Sequence, residues 1–568
     1  MKTVNNFFDL TEEELASSVV NLTDTFIGMS NEPAGFREIA VLKAQLSMQF
    51  LPYQGGDAFV GRTRHPLAGF YPQIYTKRSG FGYFGNIDEI NNLASGIASE
   101  TLKRNLYEAA DFWKKQDSVN NTRKMFPPKV AQMLPSDDWI GEKGAAFPLY
   151  RMAGTQLNYG FLLKNGITGL SLQINERLRH DPENKFLVAL MMVPEVIDLL
   201  ISHYLDNLDY EDNSTEVQQV KKSLHHLKHN PPSNMHEAIQ LMMLYNGISG
   251  SQNYGRMDHY LAPYLSGTTD SDEEIQNWFN SLWQMMESRG TIYDGRVILG
   301  GYTYPDPQKE QIAKFCLYAS AQEKTVLPQL TLRINKNVTT DLLNLAWKTL
   351  GTTGIYPMIY QDNINVNAIA NAFKITQSEA ENYVPYGCGE YTIDHSCVNS
   401  PNGVINLAAV LLEVIQEDHN DFEALWSSYK NKTEQYVDAL ARAQMITYQQ
   451  ASSTSPFLFF SLLFDDCLDR GKPAFDGGLK YLGGTLETYG NVNTADSLLA
   501  IKQLVYDQKR LKLGYLREIL ASNFKEDPEL QQLLKDQPKY GNNSGEADKM
   551  MIRVHDHICN YTRSRAES

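Results

Sequence analysis

Helical periodicity broken by a few short strand-like runs limits the folds open to this chain more than any other pattern in it. A capping box at Thr11-Glu12-Glu13-Glu14 opens a first helix that runs to about residue 26. Apolar spacing predicts further helices over residues 100–115, 195–205, 341–350, 417–448 and 497–523, the last with Asp496 as its N-cap. Between them, Gln329-Leu330-Thr331-Leu332-Arg333-Ile334 alternates apolar and polar, and residues 355–360 form a compact apolar run after Gly354. Helices alternating with short strands favour an α/β arrangement around a central sheet or barrel. No internal repeat or linker divides the 568 residues, so a single large domain over 1–568 is expected.

Composition narrows the function. Acidic residues outnumber basic ones by 67 − 51 = 16, which argues against a polyanion such as nucleic acid as the main ligand. The N-terminus lacks a basic segment followed by an apolar run, so no signal peptide is read and a cytoplasmic location is expected. The greasiest stretches, residues 187–192 and 457–464, are too short to cross a bilayer. Five scattered cysteines (Cys316, Cys388, Cys397, Cys467 and Cys559) show no metal-ligand spacing, which points to a reducing compartment and no structural metal.

One short stretch stands out chemically. Tyr386-Gly387-Cys388-Gly389-Glu390 sets a cysteine between two glycines and two residues before a carboxylate. The glycines permit backbone angles closed to other residues and allow close approach to a ligand or another backbone. Such a loop, over about 386–391, suits a finger that holds one sulfur in a cavity.

Several segments, in order along the chain, resemble the glycyl radical enzyme family, which includes pyruvate formate-lyase and the glycerol, choline and hydroxyproline lyases. Gly255-Arg256-Met257-Asp258-His259-Tyr260 with Pro263-Tyr264 is similar to the family's G-R-x-D-Q-Y-x-x-P-Y, and Pro328 to Ile334 resembles its P-x-L-x-x-R-I strand. The segment closing on Asp362 is similar to one ending in Asn-Asp, with Gln361 where Asn is usual. Asp466-Cys467, Gly477-Gly478, the run from Asn493 to Leu498 and Lys539-Tyr540-Gly541-Asn542 follow in the expected order. The resemblance implies a ten-stranded α/β barrel of two antiparallel five-stranded halves wrapped in helices. Two finger loops would meet inside it, one carrying the cysteine and the other a glycine that stores an unpaired electron.

By the same resemblance, Cys388 becomes the thiyl radical that takes a hydrogen atom from substrate and returns one to product. Glu390 acts as the base that removes the hydroxyl proton beside the new carbon radical, so that a neighbouring group is expelled. The acyl-transfer branch uses adjacent cysteines here, whereas this chain has Gly387 before Cys388, so the eliminating branch is favoured. The family's radical glycine lies in R-V-x-G-[FYW], which this sequence does not contain. Arg553-Val554-His555-Asp556 copies three letters but puts Asp556 in the glycine's place, and reads as coincidence on a terminal helix. Either the sequence is a fragment of a longer enzyme or, as the polar end favours, the chain is the large subunit of a split lyase, with its barrel and radical completed by a small glycyl-radical subunit. A radical S-adenosylmethionine activating enzyme carrying an iron–sulfur cluster would install the radical there, and no cofactor would bind this chain stably. The polar end 562–568 reads as frayed.

Departures from the family pattern bear on substrate. Gly154 and Gly250 stand where diol-type members have histidine, and Gly389 where valine is common. Three small residues around one cavity suggest a bulkier substrate such as a sugar-derived polyol, or else space refilled by other side chains. Gln156, Ser251 and Asn253 are hydrogen-bonding candidates, and Asp394 or His395 would approach from beyond the cysteine. Arg256 and Asp258 read as a buried structural pair. Cys397, nine residues after Cys388, reads as a packing residue. Three alternatives stay open: radical decarboxylation of an arylacetate, cleavage of C–N or C–S instead of C–O, and a catalytically decayed scaffold.

Overall fold

In the computed structural model, the described residues are 7–70, 82–135, 144–146, 154–208, 214–251, 253–290, 295–387 and 389–566, with backbone alone at 399–402. They fall into two compact units, one of residues 1–122, 150–400 and 448–483 and the other of residues 123–149, 401–447 and 484–568.

The first unit holds the parallel sheet that positions the site. Its strands are β1 (Gly255–Arg256), β2 (Val297–Gly300), β3 (Leu330–Ile334) and β4 (Met358–Gln361), hydrogen-bonded in that order. Val297 pairs with Leu330 and Leu332 with Ile359. Helices Asp272–Ser288, Pro307–Glu323 and Thr340–Thr353 supply the crossovers between successive strands, as parallel pairing requires. Every residue of β2 is buried, the state expected of a parallel strand covered on both faces. After β4 and helix Asp362–Phe373 comes an antiparallel hairpin, β5 (Tyr383–Tyr386) and β6 (Glu390–Ile393), which carries the cysteine loop at its tip.

One buried interaction ties this hairpin to the sheet. Arg333 of β3 and Asp362, just past β4, are both fully buried and paired through two hydrogen bonds of 3.0 and 3.1 Å. Arg333 also donates to the carbonyls of Tyr383 (2.8 Å) and Glu381 (2.9 Å), and its guanidinium lies 3.9 Å from the centre of the Tyr383 ring. The Tyr383 hydroxyl returns to Asp362 at 2.7 Å. A desolvated cation and anion persist only when their remaining donors and acceptors are filled, and here they are filled by the base of the hairpin.

The capping box at Thr11 and Glu14 forms, and its helix spans Glu12–Gly28. Helices Glu100–Gln116, Val193–Asn207 and Thr340–Thr353 lie where periodicity places them. Three expectations need correction. The helix expected over 417–448 starts later, at Phe422, because the Asp421 carboxylate accepts the Ala424 N–H and closes a turn there, and it continues to Thr454. The stretch 497–523 is not one helix. Asn491–Ile501 passes into a wider turn over Lys502–Asp507, Lys509 takes a left-handed φ of 54°, and Leu513–Ala521 begins afresh. Asp496 is thus no N-cap; it sits inside a helix and accepts the Tyr540 N–H at 2.9 Å. The final helix, Gly545–Ala566, also runs through most of the end expected to fray.

In the second unit, Arg553 of that helix lies over the Trp426 ring at 4.5 Å and pairs with Glu423, while Val554 is buried. Both residues are thereby accounted for by packing. In the first unit, the stretch Lys185–Asn207 is long and apolar enough to cross a membrane, but more than half of its apolar window is buried inside the protein.

Three histidines, His236 buried and His65 and His259 half-buried, make stability pH-dependent. Desolvation holds His259 down to about 2 and His65 and His236 each to about 4. Below the ordinary value near 6.5 the unfolded chain binds protons that the folded chain refuses, so stability is lost as pH falls. Urea midpoints should drop steadily from pH 6.5 to 4, and midpoints independent of pH across that range would contradict this. Asp362→Ala leaves Arg333 buried and unpaired, with an expected loss of about 3–5 kcal/mol; a urea midpoint equal to wild type would show that the pair does not hold the hairpin.

Candidate functional site

Cys388 itself lies outside the described residues, but its neighbours define the tip. Gly387 and Gly389 have φ of 54° and 135°, both closed to most side chains, and the Gly389 N–H reaches the Tyr386 carbonyl at 3.1 Å. Glu390 folds back across this turn. A Cβ placed on Gly387 would lie 2.7 Å from both carboxylate oxygens of Glu390, so the glycine at 387 makes room for the acid. The carboxylate therefore sits over the backbone that leads into Cys388. Tyr360 of β4 brings its hydroxyl to 3.5 Å from where a Cβ on Gly389 would be.

A second arginine clamps the tip. Arg296 is fully buried and hydrogen-bonds the Gly387 carbonyl, Thr331 Oγ1 (2.7 Å) and Gln329 Oε1 (2.8 Å). Its backbone N–H donates to Asn253 Oδ1 at 3.2 Å, and Asn253 Nδ2 donates to the Thr155 carbonyl at 3.1 Å. Asn253 thus braces main chain, and its two polar atoms are spent on that task. Ser251, also buried, donates to the Asn253 carbonyl at 3.3 Å.

Gln156 differs. It is fully buried, yet among the described residues neither its Oε1 nor its Nε2 has a hydrogen-bond partner, and the Thr155 hydroxyl beside it is also unpartnered there. Leaving a buried amide unsatisfied costs roughly 1–3 kcal/mol per group, so both ends call for a ligand or water.

The structure separates the remaining candidates from the tip. Asp394 and His395 stand at the opposite end of the β5–β6 ladder, four residues beyond Glu390 and so about 13 Å away at the rise of a strand. There the Asp394 N–H bonds the Asn382 carbonyl, and His395 lies 3.1 Å from Asp394 and 3.8 Å from Asp465. Arg256 and Asp258 are buried but do not pair with each other. Arg256 donates to the Gly300 carbonyl and Asp258 accepts the Gly300 N–H, so together they grip the end of β2. Two of the three small residues have backbone reasons: Gly250 is a left-handed C-cap at φ 68°, and Gly389 sits at φ 135°. Of the three, only Gly154 still argues for a roomy pocket. Cys397 is fully buried among Val366, Ile369 and Tyr383, a packing residue.

Sequence reasoning missed Arg296. Its signal was a charge set directly before the wholly apolar run Val297-Ile298-Leu299, where a buried strand leaves an arginine in need of partners.

The pyruvate formate lyase-like family pattern matches residues 31–568. The chain belongs to that family. It is 23% identical over 544 residues to a probable dehydratase, YbiW, of Escherichia coli K12, covering 82% of this chain and 66% of that protein. It is 22% identical to the (2S)-3-sulfopropanediol dehydratase of Klebsiella oxytoca, covering 83% and 64%. The chain therefore spans about two thirds of the length of these curated relatives. The fold matches the glycerol-bound B12-independent glycerol dehydratase of Clostridium butyricum with a TM-score of 0.81 at 20% identity, over 98% of this chain and 79% of that one. The α/β barrel class expected from the sequence is thus that of glycyl radical enzymes.

Removing the Arg296 side chain as Arg296→Met deprives the Gly387 carbonyl of a charged donor worth about 1.5–3 kcal/mol. Amide exchange at Gly389 should accelerate roughly 10- to 100-fold, and unchanged exchange would mean that Arg296 does not hold the tip.

Proposed function

We propose that this chain is the catalytic large subunit of a glycyl radical lyase that eliminates a leaving group next to a hydroxylated carbon. The observation that carries the reading is the Glu390 carboxylate folded beneath Gly387, one residue from Cys388. In this reading Cys388, as a thiyl, takes a hydrogen atom from the hydroxyl-bearing carbon, forming S–H and a carbon radical. That radical acidifies the hydroxyl, Glu390 accepts its proton, and the resulting ketyl expels the adjacent group as an anion. The product radical then regains a hydrogen atom from the Cys388 thiol. Gln156, with its amide nitrogen and oxygen both unfilled among the described residues, orients the substrate's polar groups, and Ser251, bonded to the Asn253 carbonyl, is a further hydrogen-bonding group. Asn253 holds backbone and Arg296 holds the tip.

The unpaired electron originates on a glycine outside these 568 residues, which we assign to a separate small subunit, put there by a radical S-adenosylmethionine activating enzyme. Two observations support this. The sequence has no R-V-x-G-[FYW], and the nearest imitation is helical and spent on packing. The site is also open: Met358, Ile359, Tyr360, Glu390 and Tyr391 are half-buried and Gln361 is exposed. Radical chemistry needs a sealed chamber, so protein beyond these residues has to close this one, which the small subunit would do. The cytoplasm is the reducing setting that suits these components. A polyol is the substrate class with the required vicinal hydroxyls.

The test is anaerobic co-expression with a small chain bearing R-V-x-G-[FYW] and its activating enzyme. Wild type should give a glycine-centred paramagnetic doublet and turn over a polyol. Cys388→Ser should keep the doublet and lose turnover, and Glu390→Gln should lose about 10²- to 10⁴-fold. Undiminished turnover by Cys388→Ser, or turnover by the 568-residue chain without any such partner, contradicts the reading.

A further inference from the structure

The first unit contains a buried guanidinium that no carboxylate among the described residues neutralises. Arg289, the C-cap of helix Asp272–Ser288, is 8% exposed. One nitrogen, Nη1, hydrogen-bonds Asn246 Oδ1, and the Tyr254 ring lies 5.5 Å away. Its Nε and Nη2 are buried and have no partner among the described residues, and no ion pair there includes it. Those two atoms form one edge of the planar fork, the edge that grasps a carboxylate or similar oxyanion through two parallel hydrogen bonds.

The fork borders a small, partly open cavity lined also by Asn246, Gly250, Ser251, Thr63 and Gln49, with no acidic residue among the described residues of its lining. Its free volume is about 20 Å³, room for about two water-sized groups. Arg64 lies on the same wall, with its guanidinium occupied by the carbonyls of Phe8, Ser47 and Met48. A buried cation without counter-charge is costly, none is found for Arg289 among the described residues, and water filling the cavity would supply none.

We propose that the Nε/Nη2 edge of Arg289 is an oxyanion site for one compact carboxylate head. Asn246 extends the consequence: it donates to the Asn253 carbonyl (3.0 Å), and Asn253 accepts the Arg296 N–H, so the bound anion steadies the residues that hold Gly387.

The test needs no radical and no turnover, so it stands apart from the proposed reaction. The full chain is titrated calorimetrically with sodium formate and acetate and melted in each, against benzoate at the same ionic strength, whose ring exceeds the cavity. Formate should bind saturably at one site and raise Tm, while benzoate should not. Arg289→Gln should weaken formate at least tenfold, and Arg289→Lys, which keeps the charge but lacks the fork, should weaken it similarly. The Lys variant decides the matter if the Gln variant does not fold. No saturable formate binding up to 0.1 M, equal protection by benzoate, or undiminished binding in the Lys variant each overturns the proposal.

Discussion

The Arg333–Asp362 pair is the constraint from which the site follows. A two-residue ion pair with no exposure is an expense unless every remaining lone pair and N–H is met, and the groups that meet them belong to Tyr383 and Glu381, the root of the hairpin. The parallel sheet is thereby a platform from which one antiparallel finger projects. Arg296 repeats the device at the other end of the finger by holding the Gly387 carbonyl. Two buried arginines, one at the base and one at the tip, fix a loop whose glycines would otherwise leave it free.

Much of this was legible in the residues. The capping box at Thr11, the crossover helix over Thr340–Thr353 and the strand over Leu330–Ile334 follow from local pattern, because each element satisfies its own backbone and shows its apolar face at the right period. The break after Ile501 was not legible, since 497–523 keeps helical periodicity across a turn that depends on a positive φ at Lys509. The order of the motifs marked the cysteine loop, and the Glu390 carboxylate folds against Gly387 there. Asp394 and His395 stand away from the tip because each step along a strand carries residues farther from it. Arg256 and Asp258 were paired with each other on the strength of charge alone, whereas both spend their charge on the backbone of Gly300.

Unsatisfied buried polar atoms separate the residues that hold the fold from those that await something. Asn253, Arg333 and Asp362 have their donors and acceptors engaged, and they are scaffold. Gln156 and the outer edge of Arg289 are also buried, and among the described residues they have none on the atoms that matter. A protein that buries an amide or a cation without a partner has reserved it for a ligand or solvent, and these two reservations lie on either side of the network through Asn246 and Asn253.

The central claim is that the sulfur on this finger carries hydrogen between substrate and product. It is tested most directly by turnover of a polyol deuterated at the hydroxyl-bearing carbon, in ordinary water, with the activated partner present. The account predicts deuterium in the product at the carbon that regains hydrogen, because the Cys388 thiol returns the atom it took. Product free of deuterium, with label released wholly to water at every extent of reaction, would contradict it.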